Sequence, residues 1–424
     1  MGQVATLHIT GFEHGLLSVG QNPDKIFLLK GGTFAIGGSY ARTGNYGLRC
    51  VPASGTATYL YAPTEGPPGQ TESVGRFYVY FATFPSANHG LFYIREAAGG
   101  RMPVGFEFNS STNKIRCHAR DEAGNTDYTS SDSGVSLSTG KWYRVEFRIT
   151  RPTSTTRKFE WRIAEGDGTA TAETDYTTSG GVATSYWGTC LYGELPDRGN
   201  TANGEFWFDD VCVMNNPSVN DEPTYPLGPG RVYMLKMDGD LTHVNGSSWT
   251  DNNGNSPPNP VWNRMDEVPA ADSTTDYVYP TTGDTNSLLK CSISEPPTEI
   301  GDTVKSNGAV ARLQGYIGTS GVASAQASSM YDPSPEQGSA QYLNPTTQSV
   351  GPIYAGYRWG GGTLGPVGGY RANAQKKNWR DCEVHLWMQG TGISPVIRLE
   401  SYHAELDFPY TAVTEDFAGW GILI

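Results

Sequence analysis

Two groups of carboxylates are the residues of this 424-residue chain whose types and spacing could do chemistry. Glu205 precedes the adjacent pair Asp209 and Asp210, and Glu405 stands two positions before Asp407. Two carboxylates that flank a glycosidic bond can hydrolyse it, one as the acid and the other as the nucleophile or base. Clustered carboxylate oxygens can also hold Ca²⁺, which is a hard cation.

Neither group has the spacing that hydrolysis from a single strand requires. Sandwich-type glycoside hydrolases of the laminarinase kind use the pattern Glu-x-Asp-x-x-Glu, and here Tyr410 stands where the last glutamate would be. Alternation along residues 402–408 puts Glu405 and Asp407 on one polar face, which predicts a half-buried strand with that face in water. The sequence therefore predicts no enzymatic activity and no catalytic residue, with a jelly-roll glycoside hydrolase or lyase as an alternative.

A calcium site at Asp209 and Asp210 is the strongest metal site that the sequence offers, and it is a weak one. Adjacent residues of a strand point to opposite faces, so only one of the two carboxylates could bind the ion. Capping of the strand end is the preferred interpretation. The seven histidines lack metal-ligand spacing, and the sequence has no nucleophile elbow or phosphate-binding loop. No cofactor is predicted, with Ca²⁺ as the alternative.

Aromatic residues are the remaining candidates for function, because the chain contains 10 Trp and 24 Tyr. Exposed Trp and Tyr rings stack on sugars and anchor protein interfaces. The candidates lie in turn-like sequence or near the chain end, and they are Trp249, Trp262, Tyr354, Tyr357, Trp359 and Trp420. We expect a protein interface first, with ordinary core packing and glycan stacking as alternatives.

The elements that would position these residues are strands. The chain has 53 Gly and 27 Pro, and no long stretch shows the apolar period of a helix. In WYRVEFRI (142–149), apolar residues alternate with Arg144, Glu146 and Arg148, which predicts one core face and one charged face in water. Together with EFWFDDVCVM (205–214), this stretch resembles the laminin-G/concanavalin-like jelly-roll family. That resemblance implies a binding or building module, of which only some members hydrolyse glycans.

The predicted fold is all-β, with two tandem antiparallel β-sandwich domains of the jelly-roll type. Residues 1–214 form the first sandwich, and the proline-rich residues 215–230 form a linker. Residues 231–424 form a second sandwich module. Within it, the Gly- and Tyr-rich segment 344–370 is expected to be an ordered excursion that packs on its own module or on a neighbouring subunit.

Charge and targeting signals exclude several classes of function. The net charge is −13 without a basic run, which argues against nucleic-acid binding because that binding needs clustered Lys and Arg. The six cysteines form no CxxC pair and are expected to be buried free thiols, with disulfides left open. No secretion signal and no membrane-spanning segment is predicted.

The stretch VWNRMDEVPAADSTTDYVY (261–279) resembles a segment of tailed-bacteriophage virion proteins. The matching residues are Trp262, Asn263, Asp266, Glu267, Pro269, Thr275, Tyr277 and Val278. The resemblance implies a non-enzymatic structural protein of the phage tail or adsorption apparatus, made in the host cytoplasm and assembled as a homo-oligomer with other virion proteins. The alternatives are a carbohydrate-binding receptor binder, with a host-surface glycan as partner, and a head-decoration or surface-filament subunit.

Overall fold

The chain is all-β, which confirms the predicted fold class. The computed structural model describes residues 5–15, 27, 29–63, 72–96, 103–121, 125–178, 187–196, 198, 202–215, 225–243, 246–265, 277–281, 288–317, 324–330, 341–343, 351–359, 383–389 and 397–410. Regular structure in these ranges consists of antiparallel strands and two single 3₁₀ turns, Gly246–Ser248 and Trp262–Arg264. Within the described residues, no helix is long and apolar enough to cross a membrane.

The first sixteen strands, numbered in chain order, form two sheets. Sheet 1 contains β1 (Ala5–Thr10), β3 (Thr33–Gly37), β4 (Gly47–Val51), β6 (Glu72–Thr83), β11 (Trp142–Thr150), β12 (Lys158–Glu165), β13 (Thr171–Ala172), β14 (Tyr176–Thr177) and β16 (Glu205–Asn215). Sheet 2 contains β2 (Leu29–Gly31), β5 (Tyr59–Pro63), β7 (His89–Glu96), β8 (Val104–Asn109), β9 (Lys114–Asp121), β10 (Thr126–Asp132) and β15 (Trp187–Gly193).

The chain crosses repeatedly between the two sheets, as in a jelly roll. Sheet 1 runs β13-β12-β11-β6-β16-β4-β3, with β1 beside β16 and β14 beside β12. Sheet 2 runs β10-β9-β8-β7-β15-β5-β2. The two sheets enclose one aromatic-rich core, in which Phe77 contacts Phe92, Phe106 and Phe208. Burying each such ring stabilises the fold by roughly 1.5–3 kcal/mol.

The rest of the described chain forms a third antiparallel sheet. Its strands are β17 (Gly230–Asp240), β18 (Trp249–Asp251), β19 (Val278–Pro280), β20 (Leu288–Ile293), β21 (Gly308–Ile317), β22 (Ser324–Met330), β23 (Gln341–Leu343), β24 (Gly351–Trp359), β25 (Glu383–Gln389) and β26 (Ile397–Pro409). Strand β17 pairs with β26 through its first half and with β20 through its second half. One long strand therefore joins two groups of strands.

Two segments given separate roles in the sequence analysis pack as parts of the fold. The described end of the predicted linker, residues 225–230, lies on sheet 1, where Leu227 joins an apolar cluster with Val74 and Met214. Within the predicted excursion, β24 pairs along its whole length with β21. Residues 344–350 and 360–370 lie outside the described residues.

The charged face of sheet 1 is buried, which corrects two expectations of the sequence analysis. Arg144 and Glu146 on β11, predicted to face water, are 2% and 1% exposed. Glu405 and Asp407 on β26, also predicted to face water, are fully buried. Alternation identifies the two faces of a strand, but it does not reveal that a second layer covers the polar one. Here the polar faces of sheets 1 and 3 cover each other.

Ion pairs and hydrogen bonds connect these two polar faces. Arg76 of β6 is ion-paired with Asp407 of β26, and the second oxygen of Asp407 accepts a hydrogen bond from Asn307 Nδ2 at 2.8 Å. Asp210 accepts a hydrogen bond from the backbone N–H of Val232 at 2.6 Å. Glu405 accepts hydrogen bonds from Thr10 Oγ1 at 3.1 Å and from the N–H of Gly11 at 3.2 Å. Every one of these carboxylates is therefore satisfied across the junction.

We expect Arg76→Met to destabilise the protein by about 3–5 kcal/mol, because it leaves the Asp407 carboxylate buried without its cation. Asp407→Asn should recover most of that loss when added to Arg76→Met, since the uncompensated charge disappears. Urea unfolding of the two single variants and the double variant measures the coupling. Lys141→Met, which removes one side of the exposed pair with Glu165, is the control and should change stability little. Equal losses in the single and double variants would contradict the coupling.

A second prediction concerns Glu13, whose carboxylate accepts the backbone N–H groups of Asn45 and Tyr46 at 2.9–3.1 Å. Burial raises the pKa of Glu13 from 4.5 to about 7, although these hydrogen bonds act to lower it. The folded state therefore binds the proton more tightly than the unfolded state, so this group lowers stability as pH rises between those values. Glu13→Gln keeps an acceptor oxygen and should flatten that part of the pH profile, measured by urea unfolding at pH 5 and pH 8. An unchanged pH profile of stability in Glu13→Gln would contradict the raised pKa of Glu13.

Candidate functional site

The outer face of sheet 2 carries a cluster of titratable side chains. Along β9, Ile115, Cys117 and Ala119 point into the core of the sandwich. The alternate residues Arg116, His118 and Arg120 therefore lie on the outer face, because successive side chains of a strand point to opposite faces. Neighbouring strands add Tyr61, Tyr93, Arg95, Glu107 and Asp127 to the same face.

Three of these residues form a line of polar contacts that we call the tyrosine triad. The Tyr93 hydroxyl lies 2.9 Å from His118 Nδ1, and His118 Nε2 lies 3.3 Å from Asp127 Oδ1. The carboxylate favours a proton on Nε2, which leaves Nδ1 free to accept the Tyr93 O–H. A base held in one tautomer by an acid, with a hydroxyl on its other nitrogen, is the arrangement that moves a proton to and from that hydroxyl.

A glycine makes the Tyr93–His118 contact possible. Gly105 stands directly opposite Tyr93 on one side and His118 on the other, in the middle of three adjacent strands. A Cβ atom at position 105 would lie 2.8 Å from Tyr93 Cδ1 and 2.0 Å from the Phe92 carbonyl oxygen. The tyrosine ring can therefore lie across β8 and reach the histidine only because residue 105 has no side chain.

Arginines and carboxylates surround the triad. Glu107 accepts hydrogen bonds from Arg116 Nε and Arg198 Nη1, each at 2.6 Å. Arg198 also lies 3.4 Å from Asp127 and 3.6 Å from Glu194. Arg120 donates to Asp127 at 2.7 Å. At the edge of the group, Arg95 donates to the Tyr61 hydroxyl.

The pKa shifts follow from this arrangement. Burial, together with the nearby carboxylate of Glu194, raises the pKa of Tyr93 well above its usual value, so the phenol stays protonated at neutral pH. Burial alone would raise the pKa of Asp127, but His118 and Arg120 lower it well below 3.8. Glu107 is also buried, yet His118, Arg198 and Arg116 lower its pKa. The site therefore holds a phenol as proton donor and two firmly ionised carboxylates.

The site is covered at its centre and reaches the surface at its rim. Tyr93, His118 and Glu107 are fully buried. The side chains of Arg116 and Arg198 are 18% and 17% exposed. Asp127 is 34% exposed. The groups that a ligand would meet first are thus two guanidinium groups and one carboxylate.

The weak calcium candidates Asp209 and Asp210 have other partners. Asp209 accepts the backbone N–H groups of Arg42 and Thr43, and Asp210 is ion-paired with the Arg42 side chain. A bulge lies between Asp209 and Cys212, and Asp210 has a φ of +47°, so the two carboxylates serve the same loop instead of opposite faces. The described residues contain no group of three His, Cys, Asp or Glu that could hold a metal ion.

The structure places the aromatic candidates in three situations. Trp249 is fully buried, so its ring is not available to a partner or a glycan. Trp262 is half-buried in a 3₁₀ turn, where its backbone N–H donates to Asp240 at 3.0 Å. Tyr354, Tyr357 and Trp359 lie on β24, and only their backbone is described. Trp420 lies outside the described residues. The five described cysteines are buried free thiols, as expected.

The sequence analysis did not identify the tyrosine triad, although one signal for it was present. In KIRCHARD (114–121), two arginines and a histidine alternate with apolar residues, which places three basic groups on one strand face. Their partners come from β7, β8 and β10. No spacing rule along the sequence relates those segments, so only the folded register brings them together.

No protein-family model matches the chain, and no curated protein matches it. Solved structures with a similar fold include the endo-β-1,4-glucuronan lyase of Trichoderma reesei, at 13% identity and a TM-score of 0.34 over 47% of this chain and 94% of that one. The PL-14 alginate lyase of Aplysia kurodai matches at 9% identity and 0.33, over 43% and 87%. The carbohydrate-binding module CBM66 of Bacillus subtilis matches at 10% identity and 0.25, over 42% and 94%.

These likenesses correct one expectation and leave others untested. This comparison contradicts the prediction that the protein is not an enzyme. Similar structures include polysaccharide lyases and a glycosyl hydrolase family protein of Mycobacterium fortuitum. The likenesses are too low to carry an activity over to this chain. The predicted virion origin, self-assembly and localisation stay predictions, because no phage protein is among the structures named here.

We expect Asp127→Asn to lower stability at neutral pH, because His118 and Arg120 lose their anionic partner. Since the pKa of Asp127 is lowered in the folded state, its contribution is present above pH 3.8 and declines as pH falls below that value. The difference between the parent protein and the variant should therefore shrink towards zero in acid, as measured by urea unfolding from pH 7 to pH 3.

Asp175→Asn is the matched control, since Asp175 makes an exposed ion pair with Lys158. It should change stability little at any pH. A difference for Asp127→Asn that stays constant down to pH 3 would contradict the lowered pKa.

Proposed function

We propose that the protein cleaves an acidic polysaccharide by β-elimination at the outer face of sheet 2. The observation that carries the proposal is the tyrosine triad, which connects a protonated phenol through an imidazole to a carboxylate, among the arginines of that face. Such a group can take up and return a proton without a metal ligand set. Carbohydrate binding is the broader function within which this reaction falls.

The arginines define the class of substrate. Arg95, Arg116, Arg120 and Arg198 lie on one face of a protein whose net charge is −13. Guanidinium groups bind planar carboxylates with two parallel hydrogen bonds, so this face suits a polymer of uronic acids. A neutral glycan offers these guanidinium groups no carboxylate, so their anionic partners would remain the carboxylates of the protein itself.

The reaction requires three changes at one sugar unit. A base removes the proton from C5, which is next to the carboxylate, and the electron pair forms a C4=C5 double bond. The C4–O4 bond breaks, and the leaving oxygen takes a proton. An arginine on the uronate carboxylate stabilises the negative charge that develops as C5 loses its proton. Tyr93 can pass its hydroxyl proton to His118, and the phenolate can then take the C5 proton and give it to O4, after which His118 returns the first proton to Tyr93.

Hydrolysis fits the site less well, although two carboxylates are close together. One nitrogen of Arg198 lies 2.6 Å from Glu107 and 3.6 Å from Glu194, so these two carboxylates are near enough to be compared with the carboxylate pair of a glycoside hydrolase. A hydrolase needs one carboxyl group with a raised pKa to act as the acid. The pKa of Glu107 is lowered. Glu194 accepts the backbone N–H groups of Gly90 and Leu195, and neither contact supplies a proton to a sugar.

Entry of the substrate would proceed through the arginines at the rim. Arg116 and Arg198 are partly exposed and are bound to Glu107, which lies beneath them. A uronate carboxylate offers the same hydrogen-bonding geometry as Glu107, so it can replace that partner on either guanidinium. This exchange would expose the Tyr93 hydroxyl to the sugar ring bound above it.

The test is incubation of the purified protein with alginate, a glucuronan and a neutral β-glucan. β-Elimination creates a double bond conjugated to the carboxylate, which absorbs ultraviolet light, whereas hydrolysis creates reducing ends without that absorption. We expect ultraviolet-absorbing products from at least one acidic polymer. Tyr93→Phe should lower turnover by about 10²-fold or more while the protein stays folded, because only the hydroxyl is removed.

Tyr176→Phe removes a phenol that packs against the same sandwich core away from the site, and it should leave turnover unchanged. His118→Gln should shift the pH profile of any remaining activity, which a purely structural histidine would not do. Reducing ends without ultraviolet absorption would contradict elimination. Full activity in Tyr93→Phe would contradict the assigned site.

A further inference from the structure

An aromatic row crosses the outer face of sheet 1 at the end away from sheet 3. Trp142, Tyr80 and Trp207 stand directly opposite one another on β11, β6 and β16. On the same face of β6, Arg76 and Tyr78 are fully buried. Tyr80 and Trp142 are half-buried. The cover over sheet 1 therefore ends between Tyr78 and Tyr80.

Tyr40 lies on top of this row and is exposed. Its ring centroid is 4.6 Å from that of Tyr80, with the two planes 26° apart, and it meets the Trp207 ring edge-on at 5.5 Å. At 38% exposure, Tyr40 is the one exposed large hydrophobic side chain among the described residues. An exposed ring held on a base of other rings has a fixed face on which a sugar ring can stack.

Buried carboxylates fix the loop that follows Tyr40. Asp209 accepts the N–H groups of Arg42 and Thr43 at 2.7 and 3.2 Å. Glu13 accepts those of Asn45 and Tyr46, as described above. The loop therefore has little freedom to lose on binding, and a ring held in its bound position reduces the entropic cost of association.

The rim of the row carries a donor and an acceptor of hydrogen bonds. Arg49 stands opposite Trp207 on β4, its side chain is 39% exposed, and its Nη2 lies 2.5 Å from Glu205. Glu205 also accepts the Trp207 indole N–H at 2.9 Å. This pair has no net charge, in contrast to the arginine-rich face of sheet 2. It suits hydroxyl groups better than carboxylates.

We propose that this row binds an uncharged stretch of polysaccharide, with pyranose rings stacked on Tyr40 and Trp142. The C–H groups on the face of a sugar ring carry a slight positive charge and pack on the negative face of an aromatic ring. From β11 to β16 the row spans two gaps between strands, or about 10 Å, which accommodates about two sugar units, and Arg49 lies one strand further. The site lies on the opposite side of the sandwich from the tyrosine triad and does not depend on the proposed reaction.

Affinity electrophoresis in gels that contain hydroxyethyl cellulose, xylan or galactomannan tests this site. We expect retardation by at least one neutral polymer. Tyr40→Ala should weaken that binding about tenfold, as expected when one stacked ring is lost. Tyr40→Phe should retain binding, because it keeps the ring. Tyr277→Ala, which removes a half-buried tyrosine that contacts another tyrosine, is the matched control and should bind like the parent protein.

Light scattering at several protein concentrations distinguishes the other possible occupant, a second copy of this chain. A larger assembly that Tyr40→Ala abolishes, without any effect on retardation, would overturn the proposal in favour of a subunit interface. Absence of retardation by every neutral polymer would also overturn it. Cleavage of a short uronate oligosaccharide should proceed equally in Tyr40→Ala and the parent protein. A failure of the binding proposal can therefore be distinguished from a failure of the proposed elimination reaction.

Discussion

Charge burial between sheets 1 and 3 is the constraint on which the rest of the structure depends. An ion such as Arg76 costs several kcal/mol to remove from water, and only a complete set of partners offsets that cost. Asp407 and the carbonyl of Gly228 accept hydrogen bonds from the terminal nitrogens of Arg76, and Asn307 donates to the second oxygen of Asp407. The polar groups of sheet 1 therefore pair with polar groups of the second part of the chain. Without the other face, each polar face would lose these partners.

That junction also determines where function can lie. It occupies most of the outer face of sheet 1 and leaves the outer face of sheet 2 to the tyrosine triad. On sheet 2, polar groups satisfy one another within the face, and their arrangement depends on Gly105, the residue without a side chain between Tyr93 and His118. Arginines and carboxylates therefore have different roles on the two faces. On sheet 1 they connect two layers, and on sheet 2 they surround a proton-transfer group.

Alternation in the sequence was sufficient to predict the strands and the core, but not what covers each outer face. Residues 142–149 show the period of two clearly, yet the predicted wet side of Arg144 and Glu146 is buried. The expectation that Asp209 and Asp210 point to opposite faces is wrong for a local reason, since a bulge breaks the alternation there. The tyrosine triad escaped prediction because its members lie on three different strands, β7, β9 and β10, and their proximity depends on the strand register, which no residue spacing in the sequence reveals.

The position of β26 near the end of the described chain has a consequence for synthesis. Strand β16 completes the first sandwich, but Asp407, the ion-pair partner of Arg76, emerges from the ribosome roughly two hundred residues later, on the order of 10–40 s at typical rates. During that interval the aromatic core can already be closed while Arg76 lacks its carboxylate and remains hydrated. A nascent surface rich in charge is a poor site for aggregation, so the same groups that demand partners in the finished protein keep the unfinished one soluble.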